Sequence, residues 1–199
     1  MSIEIELKAW VADPQGLRNT LNTDLSLVSR AFEKEDTYWH SAPGIHTGSF
    51  PPSGIRIRKE TTTDAQGTPT RKVLVTYKTK EVREGIEVNH EREFSISDGP
   101  LFEDLLRRFG FEPGIGKHKQ GWTWDYEGIT VELVRVSGLG WFVELEILED
   151  EDLAEAVTAA RTRLLDLLHR LGIDKDNIES RYYTELLACS SGDIPGLGA

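Results

Sequence analysis

The feature that most restricts the fold is an alternation of period two that recurs in eight stretches, near residues 2–11, 27–39, 53–60, 71–80, 88–96, 116–126, 128–136 and 140–148. Side chains two apart share one face of an extended strand. Each stretch is bounded by Gly, Pro, Asp or Asn, the residues that end strands. Eight strands is a natural count for a closed antiparallel barrel. Helical spacing occurs in three further places. Asp13-Pro14 opens a helix with Leu17 and Leu21 on one face. A second opens after Asp98, is expected to bury Leu101, Phe102, Leu105, Leu106 and Phe109, and stops at Gly110. The third, about 151–171, sets Leu153, Val157, Ala160, Leu164, Leu167, Leu168 and Leu171 at spacings of three and four, up to Gly172. A short last helix is expected with Ser180 as its N-cap. The stretches 41–52 and 61–70 read as exposed loops. The fold class is therefore mainly β (α+β), with one domain over 1–189 and a loose tail over 190–199.

The strands carry like charges two residues apart: Glu4 and Glu6, Arg56 and Arg58, Lys78 and Lys80, Glu91 and Glu93, Lys117 and Lys119, Glu144 and Glu146. At a rise of roughly 3.3 Å per residue such pairs lie about 7 Å apart. They repel by about 0.6 kcal/mol in water and about 2.4 kcal/mol at an effective dielectric of 20. One such pair is an ordinary wet strand face. Six single-sign pairs on six strands are not, because an ordinary surface intersperses its signs.

Two arrangements follow. With the charges outward, Ile3, Ile5, Leu7, Ile55, Ile57, Val143, Leu145 and Ile147 would fill the interior, as in a lipid-binding barrel. With the charges inward, those residues form the outer wall and need a cover, which Leu-rich helices supply. The helices favour the second arrangement, a tunnel-like barrel in which carboxylates hold hard divalent cations and Arg and Lys hold phosphate oxygens.

Other motifs compete poorly. Gly110 to His118 has the wrong glycine spacing for a phosphate-binding loop and lacks Ser or Thr after Lys117. The five histidines, His40, His46, His90, His118 and His169, lack zinc-ligand spacing and read as surface or loop residues. The five tryptophans read as core or barrel exterior rather than a base-stacking surface. The lone Cys189 makes neither an internal disulfide nor a cysteine zinc site. There is no signal-like N-terminus and no segment of eighteen apolar residues, so a cytoplasmic protein that does not span a membrane is expected. With 23 Lys and Arg against 34 Asp and Glu, the formal charge of −11 disfavours duplex nucleic acid and anionic membranes as partners.

The first strand is more specific. Glu4-Ile-Glu6-Leu-Lys8 resembles the Glu-x-Glu-x-Lys signature of the CYTH superfamily, the triphosphate tunnel metalloenzymes that include class IV adenylyl cyclases, thiamine triphosphatases and inorganic triphosphatases. The order of Arg56-Ile-Arg58, Lys78, Glu91-Arg-Glu93, Lys117-His-Lys119, Glu132 and Glu144-Leu-Glu146 along nearly the whole chain is similar to that family's succession of basic and acidic strands. Asp36-Thr-Tyr38-Trp, Gly138-Leu-Gly140-Trp and Ser180-Arg-Tyr-Tyr-Thr-Glu-Leu-Leu look most like its cyclase-type branch.

The resemblance implies an eight-stranded tunnel, Mg²⁺ or Mn²⁺ as cofactor, and a triphosphate-bearing small molecule (tripolyphosphate, ATP or thiamine triphosphate) bound inside. It implies metal-site carboxylates at Glu4, Glu6, Glu132, Glu144 and Glu146. Phosphate ligands would be Lys8, Arg56, Arg58, Lys78, Lys117 and Lys119, and Lys8, Glu91 and Glu93 would act in catalysis. The chain departs from the pattern in having Glu132 where the family often has Asp and Lys119 where it often has Arg, which exchanges a bidentate fork for a point charge. Hydrolysis of the triphosphate is the favoured reaction. The alternatives are cyclisation of ATP to cyclic AMP and pyrophosphate, and a non-catalytic polyphosphate-binding barrel.

Overall fold

The computed structural model describes residues 3–41, 54–83, 86–150 and 153–191, with backbone alone at 78–83, 91 and 191. Eight antiparallel strands among these residues close into a barrel in the order β1-β5-β4-β3-β2-β6-β7-β8, with β8 returning to β1. They are β1 (Ile3–Trp10), β2 (Arg30–Ser41), β3 (Ile55–Thr63), β4 (Pro69–Arg83), β5 (Ile86–Ile96), β6 (Phe111–Tyr126), β7 (Ile129–Val136) and β8 (Gly140–Glu149). Strands β2 to β5 form one meander and β6 to β8 another. β1 enters between β5 and β8 and so joins the two ends.

Closure decides which face each residue takes. Ile3, Ile5, Leu7 and Ala9 point outward from β1 and are buried, as are Val131, Leu133, Val143, Leu145 and Ile147 on its neighbours. They are covered by α3 (Ala154–Arg170), through Val157, Ala160, Leu164, Leu167 and Leu168, and by Leu17 and Leu21 from α1 (Pro14–Asn19) and the π turn Thr20–Asp24. The hydrophobic core thus lies between the barrel and its helices rather than inside the barrel. Trp39, Ile57 and Phe111 form a second outer cluster under Leu106 of α2 (Gly99–Arg108).

One end of the bore is apolar. Phe32, Val134 and Phe142 pack there with Trp10 against Tyr183 and Leu186 of α4 (Tyr183–Ser191). The approach to α4 is fixed to the strand it crosses. Glu179 donates its backbone N–H to the Lys8 carbonyl at 2.9 Å, and Ala9 bridges Ile178. The Glu179 carboxylate accepts from Trp10 Nε1 and from the Arg181 guanidinium. These bonds to Arg181 are the main reason its pKa is held down to about 2.

Four sequence expectations need correction. The stretch 61–70 is not a loop throughout, since β3 continues to Thr63 and β4 begins at Pro69, which leaves a turn over 64–68. Asp64 closes that turn by accepting from the backbone N–H groups of Gln66 and Thr68. The last helix is not capped by Ser180. It starts after Tyr182, whose backbone N–H is taken by the Glu185 carboxylate at 2.7 Å. Leu153 is exposed at the start of α3. On α2 Leu106 is buried and Phe102 packs partly inward, whereas Leu101, Leu105 and Phe109 are exposed, because two stripes one residue apart cannot both face the barrel. The expected loop 41–52 lies outside the described residues from 42 onward.

Leu164 sits fully buried at the centre of the contact between α3 and the barrel. Leu164→Ala should cost about 2–5 kcal/mol of unfolding free energy, measured by urea denaturation, with the midpoint lowered and the slope unchanged.

Candidate active site

The strand register sorts the charges before any side chain is considered. Glu6 stands beside Glu146 on one side and Glu87 on the other, and Lys8, Glu144 and Glu132 follow one another across β1, β8 and β7. On the other wall Lys34 stands beside Lys119, and Asp36 between Arg58 and Lys117. Neighbouring strands are roughly 4.8 Å apart, so each wall concentrates one sign, relieved by single residues of the other.

Most of these side chains line a cavity of about 840 Å³ inside the barrel, whose charged boundary is Glu4, Glu6, Glu60, Glu87, Glu93, Glu132, Glu144 and Glu146 with Lys34, Arg56, Arg58, Lys72, Lys117 and Lys119. Tyr38, His40 and Ile115 also contribute to its wall, as do Tyr182 and Tyr183 from the start of α4.

The opposed walls neutralise one another. Lys119 donates to both oxygens of Glu144 at 2.7 Å. Lys34 reaches Glu132 at 2.6 Å, and Lys8 is paired with Glu87. Arg58 forks onto Asp36 with bonds of 2.7 and 2.9 Å, and Lys117 approaches the same carboxylate at 3.3 Å while donating to Tyr38 Oη at 3.1 Å. Arg56 bonds to Thr76 Oγ1 at 2.8 Å, and that hydroxyl donates to Glu93 at 2.9 Å.

Burial works against the charges of Asp36, Arg58, Lys119 and Glu144, and their partners win. Burial alone would push the Asp36 and Glu144 carboxyls up; Arg58 and Lys117 hold Asp36 well below the usual carboxylate range, and Lys119 does the same for Glu144. Burial would likewise lower Arg58 and Lys119, yet Asp36 raises the first and Glu144 the second. At the apolar end the ammonium groups of Lys8, Lys117 and Lys119 stand 5.5, 5.2 and 5.1 Å from the centre of the Tyr183 ring. The phenol stays protonated, since burial and the neighbouring Glu144 both raise its pKa.

Of the residues singled out in the sequence, Glu4, Glu6, Arg56, Arg58, Glu93, Lys117, Lys119, Glu132, Glu144 and Glu146 meet around this one cavity. Lys8 is buried beside it through Glu87 and Tyr183. Lys78 and Glu91 stand opposite one another in the β4–β5 register, and their side chains lie outside the described residues. Lys34, Asp36, Tyr38, Glu87 and Tyr183 complete the site; Asp36, Tyr38 and Tyr183 stand in the family-like motifs without a site role there, and Lys34 and Glu87 carry no expectation. The signal for Lys34 and Asp36 is their shared parity with Tyr38, masked by Glu33 before them and Glu35 between them. His40 is exposed, as expected of a surface residue, and its place in β2 also brings it to the cavity wall. The glycine-rich Gly110–Gly116 segment is mostly extended in β6 and forms no phosphate cradle; a Cβ at Gly114 would come within 2.8 Å of the His40 ring.

The donor set suits a hard divalent cation. Glu6 stands in register between Glu87 and Glu146, carboxylates of the oxygen-donor type a hard divalent cation takes, while among the described residues no three such side chains are gathered closely enough to hold one in this arrangement.

Residues 2–183 match the CYTH domain, so the chain belongs to the CYTH family. It is similar to a protein of Methanocaldococcus jannaschii named "Putative adenylate cyclase", with 27% identity over 188 residues, 92% of this chain and 98% of that one. Among solved structures it is similar to the PH1819 protein of Pyrococcus horikoshii, with a TM-score of 0.72 and 28% identity, covering 92% of this chain and 97% of that one. It also shares its fold with a Hippeastrum protein described as a putative adenylyl cyclase with a dominant triphosphatase activity, at a TM-score of 0.61 and 16% identity, over 98% and 97% of the two chains. No helix among the described residues is long and apolar enough to cross a membrane.

Asp36 compensates two buried cations at once. Asp36→Asn should therefore destabilise the ligand-free protein by about 3–5 kcal/mol at neutral pH. A carboxyl whose folded pKa is depressed contributes fully above its unfolded pKa, and that contribution is lost as pH falls through the folded value. The gap between wild type and variant should thus be constant above about pH 5 and close as the pH is lowered below about 4, read from denaturation midpoints.

Proposed function

We propose that the chain is a divalent-cation-dependent phosphohydrolase that takes an inorganic or organic triphosphate into the barrel and releases orthophosphate. The observation that carries this reading is the gathering of six basic side chains, Lys34, Arg56, Arg58, Lys72, Lys117 and Lys119, with eight carboxylates around one cavity. A pure anion binder would gain nothing from carboxylates turned toward its ligand.

In this reading the basic wall exchanges protein carboxylates for phosphate oxygens. Arg56 and Arg58 grip oxygens with planar forks, and Lys34, Lys117 and Lys119 act as point charges. Lys8, and Lys78 from the neighbouring wall, complete the clamp. The carboxylates of Glu4, Glu6, Glu132, Glu144 and Glu146 would hold Mg²⁺ or Mn²⁺, which supplies charge neutralisation at the phosphates. Glu93 holds Arg56 through Thr76, and together with Glu91 it orients the attacking water. Phosphoryl transfer through a loose transition state needs positioning and neutralisation more than a covalent nucleophile, and the buried ion pairs keep the clamp in place before substrate arrives. Water then attacks the terminal phosphorus, and the bond to its bridging oxygen breaks.

The second reading is cyclisation, in which the ribose 3′ oxygen of ATP attacks the α-phosphorus and pyrophosphate leaves. It is favoured by the name of the M. jannaschii relative, and it needs recognition of the base as well as the phosphates. Hydrolysis asks only for the phosphate grip. Tripolyphosphate should therefore be turned over with a higher kcat/KM than ATP, with orthophosphate as product. Cyclic AMP as the dominant product from ATP, with GTP much poorer, would establish the cyclase reading instead.

Glu4→Gln and Glu6→Gln should each reduce turnover of tripolyphosphate to background while leaving the melting temperature of the ligand-free protein nearly unchanged. Each removes one of several crowded like charges and so relieves repulsion while deleting a cation ligand. Activity retained alongside a large loss of stability would assign these glutamates a structural role.

A further inference from the structure

The outer wall of the barrel is covered by α1 and α3 over one half and by the inward edge of α2 over part of the other. On α2 an apolar line is left uncovered. Leu101, Leu105 and Phe109 recur every fourth residue and are 65%, 43% and 67% exposed, and Phe94 of β5 is 54% exposed. Phe94 meets Phe102 edge to face with ring centres 6.4 Å apart, so strand and helix form one continuous apolar surface. Val28, Leu148 and Leu153 are also exposed, but on separate segments, whereas a contiguous apolar patch of this kind marks an interaction site.

The charges around the patch indicate what covers it. The chain as a whole carries −11, but α2 holds two carboxylates, Glu103 and Asp104, followed by two guanidinium groups, Arg107 and Arg108, and is neutral. On a chain of net charge −11, a neutral face is where two identical copies repel one another least. The inner pair is committed to the barrel. Glu103 is 3.6 Å from Lys59, and Arg107 stands 4.9 Å over the Trp39 ring. The outer pair is exposed, and Arg108 donates to Asp104 at 2.8 Å within the helix. Acid before base along a helix is self-complementary when a second copy runs antiparallel to the first.

We propose that two copies of this chain associate through α2 about a twofold axis at Leu105. Leu105 then packs on its own counterpart, and Leu101 on Phe109 of the second copy. Asp104 and Arg108 exchange their intrahelical bond for the equivalent bond across the axis, as an isologous interface requires. A partner of uniform charge would match only half of the helix. The apolar line is short against the roughly 800 Å² per partner of a standard interface, so the dimer is expected to dissociate at low micromolar concentration. The patch lies on the outside of the barrel, and dimerisation leaves the tunnel unchanged.

The test is sedimentation equilibrium of the full chain from low micromolar to submillimolar concentration. The expected mass rises from 22.4 kDa toward twice that value. Leu105→Glu should hold the chain monomeric throughout, with its melting temperature unchanged because Leu105 is exposed. Asp104→Arg should weaken the dimer by about tenfold through like charges across the axis. Adding Arg108→Asp to it should restore association to near the original level. A monomer at every concentration, a dimer indifferent to Leu105→Glu, or a charge swap that fails to restore association would each overturn the proposal.

Discussion

Everything in this molecule follows from turning opposed charges into a barrel rather than out of it. Paired ions in a poorly solvated interior are held only while each has its partner, and removing one partner costs far more than removing both. Lys119 with Glu144, Lys34 with Glu132, and Arg58 and Lys117 on Asp36 are therefore not independent contacts. They are one interdependent set of four cations and three carboxylates, in which Glu132 also acts on Arg58 and Lys119. An anion that takes the lysines and arginines frees the carboxylates for cations, and a cation that takes the carboxylates frees the basic groups for an anion. On the proposed function, the same interdependence would make the site respond to a metal and a polyphosphate acting jointly.

The inverted arrangement explains the helices as well. A barrel with a charged interior must place its apolar residues outside, and α3 and α1 supply the second half of the core that the interior does not provide. α4 has a different task. It brings Tyr183 and Leu186 against Phe32, Val134 and Phe142, which closes one end with apolar contacts and sets an aromatic face under three ammonium groups. The bond from Glu179 to the Lys8 carbonyl and the grip of its carboxylate on Trp10 fix that helix to the strand that carries Glu4, Glu6 and Lys8. Stability of the plug and geometry of the site are thus joined through one segment.

The strands were legible because period two survives any register, and the inward direction of the charges was legible because like pairs on six strands have no good surface explanation. Glu4, Glu6, Arg56, Arg58 and Glu144 could be read from that pattern alone. Lys34 and Asp36 could not, since Glu33 and Glu35 on the opposite face break the run of single-sign charge, and only pairing with Lys119, Arg58 and Lys117 gives them meaning. Glu87 shares the parity of Glu91 and Glu93 but lies one residue before the strand expected over 88–96, and only its register beside Glu6 assigns it to the site. Tyr183 carries no periodic signal and reaches the site from the far end of the chain. On α2 the sequence offers two apolar stripes of similar strength, and choosing between them required knowing that the barrel accepts Phe102 and Leu106.

The central claim is that the two walls release each other only when both ligands are present. Thermal unfolding of the protein with Mg²⁺ alone, with tripolyphosphate alone and with both tests it most directly. The account predicts small shifts with either ligand and a rise with the pair that clearly exceeds their sum, since only the complete set stabilises the native state by mass action. Equal shifts with tripolyphosphate in the presence and absence of Mg²⁺, or no shift with the pair at millimolar concentration, would contradict it.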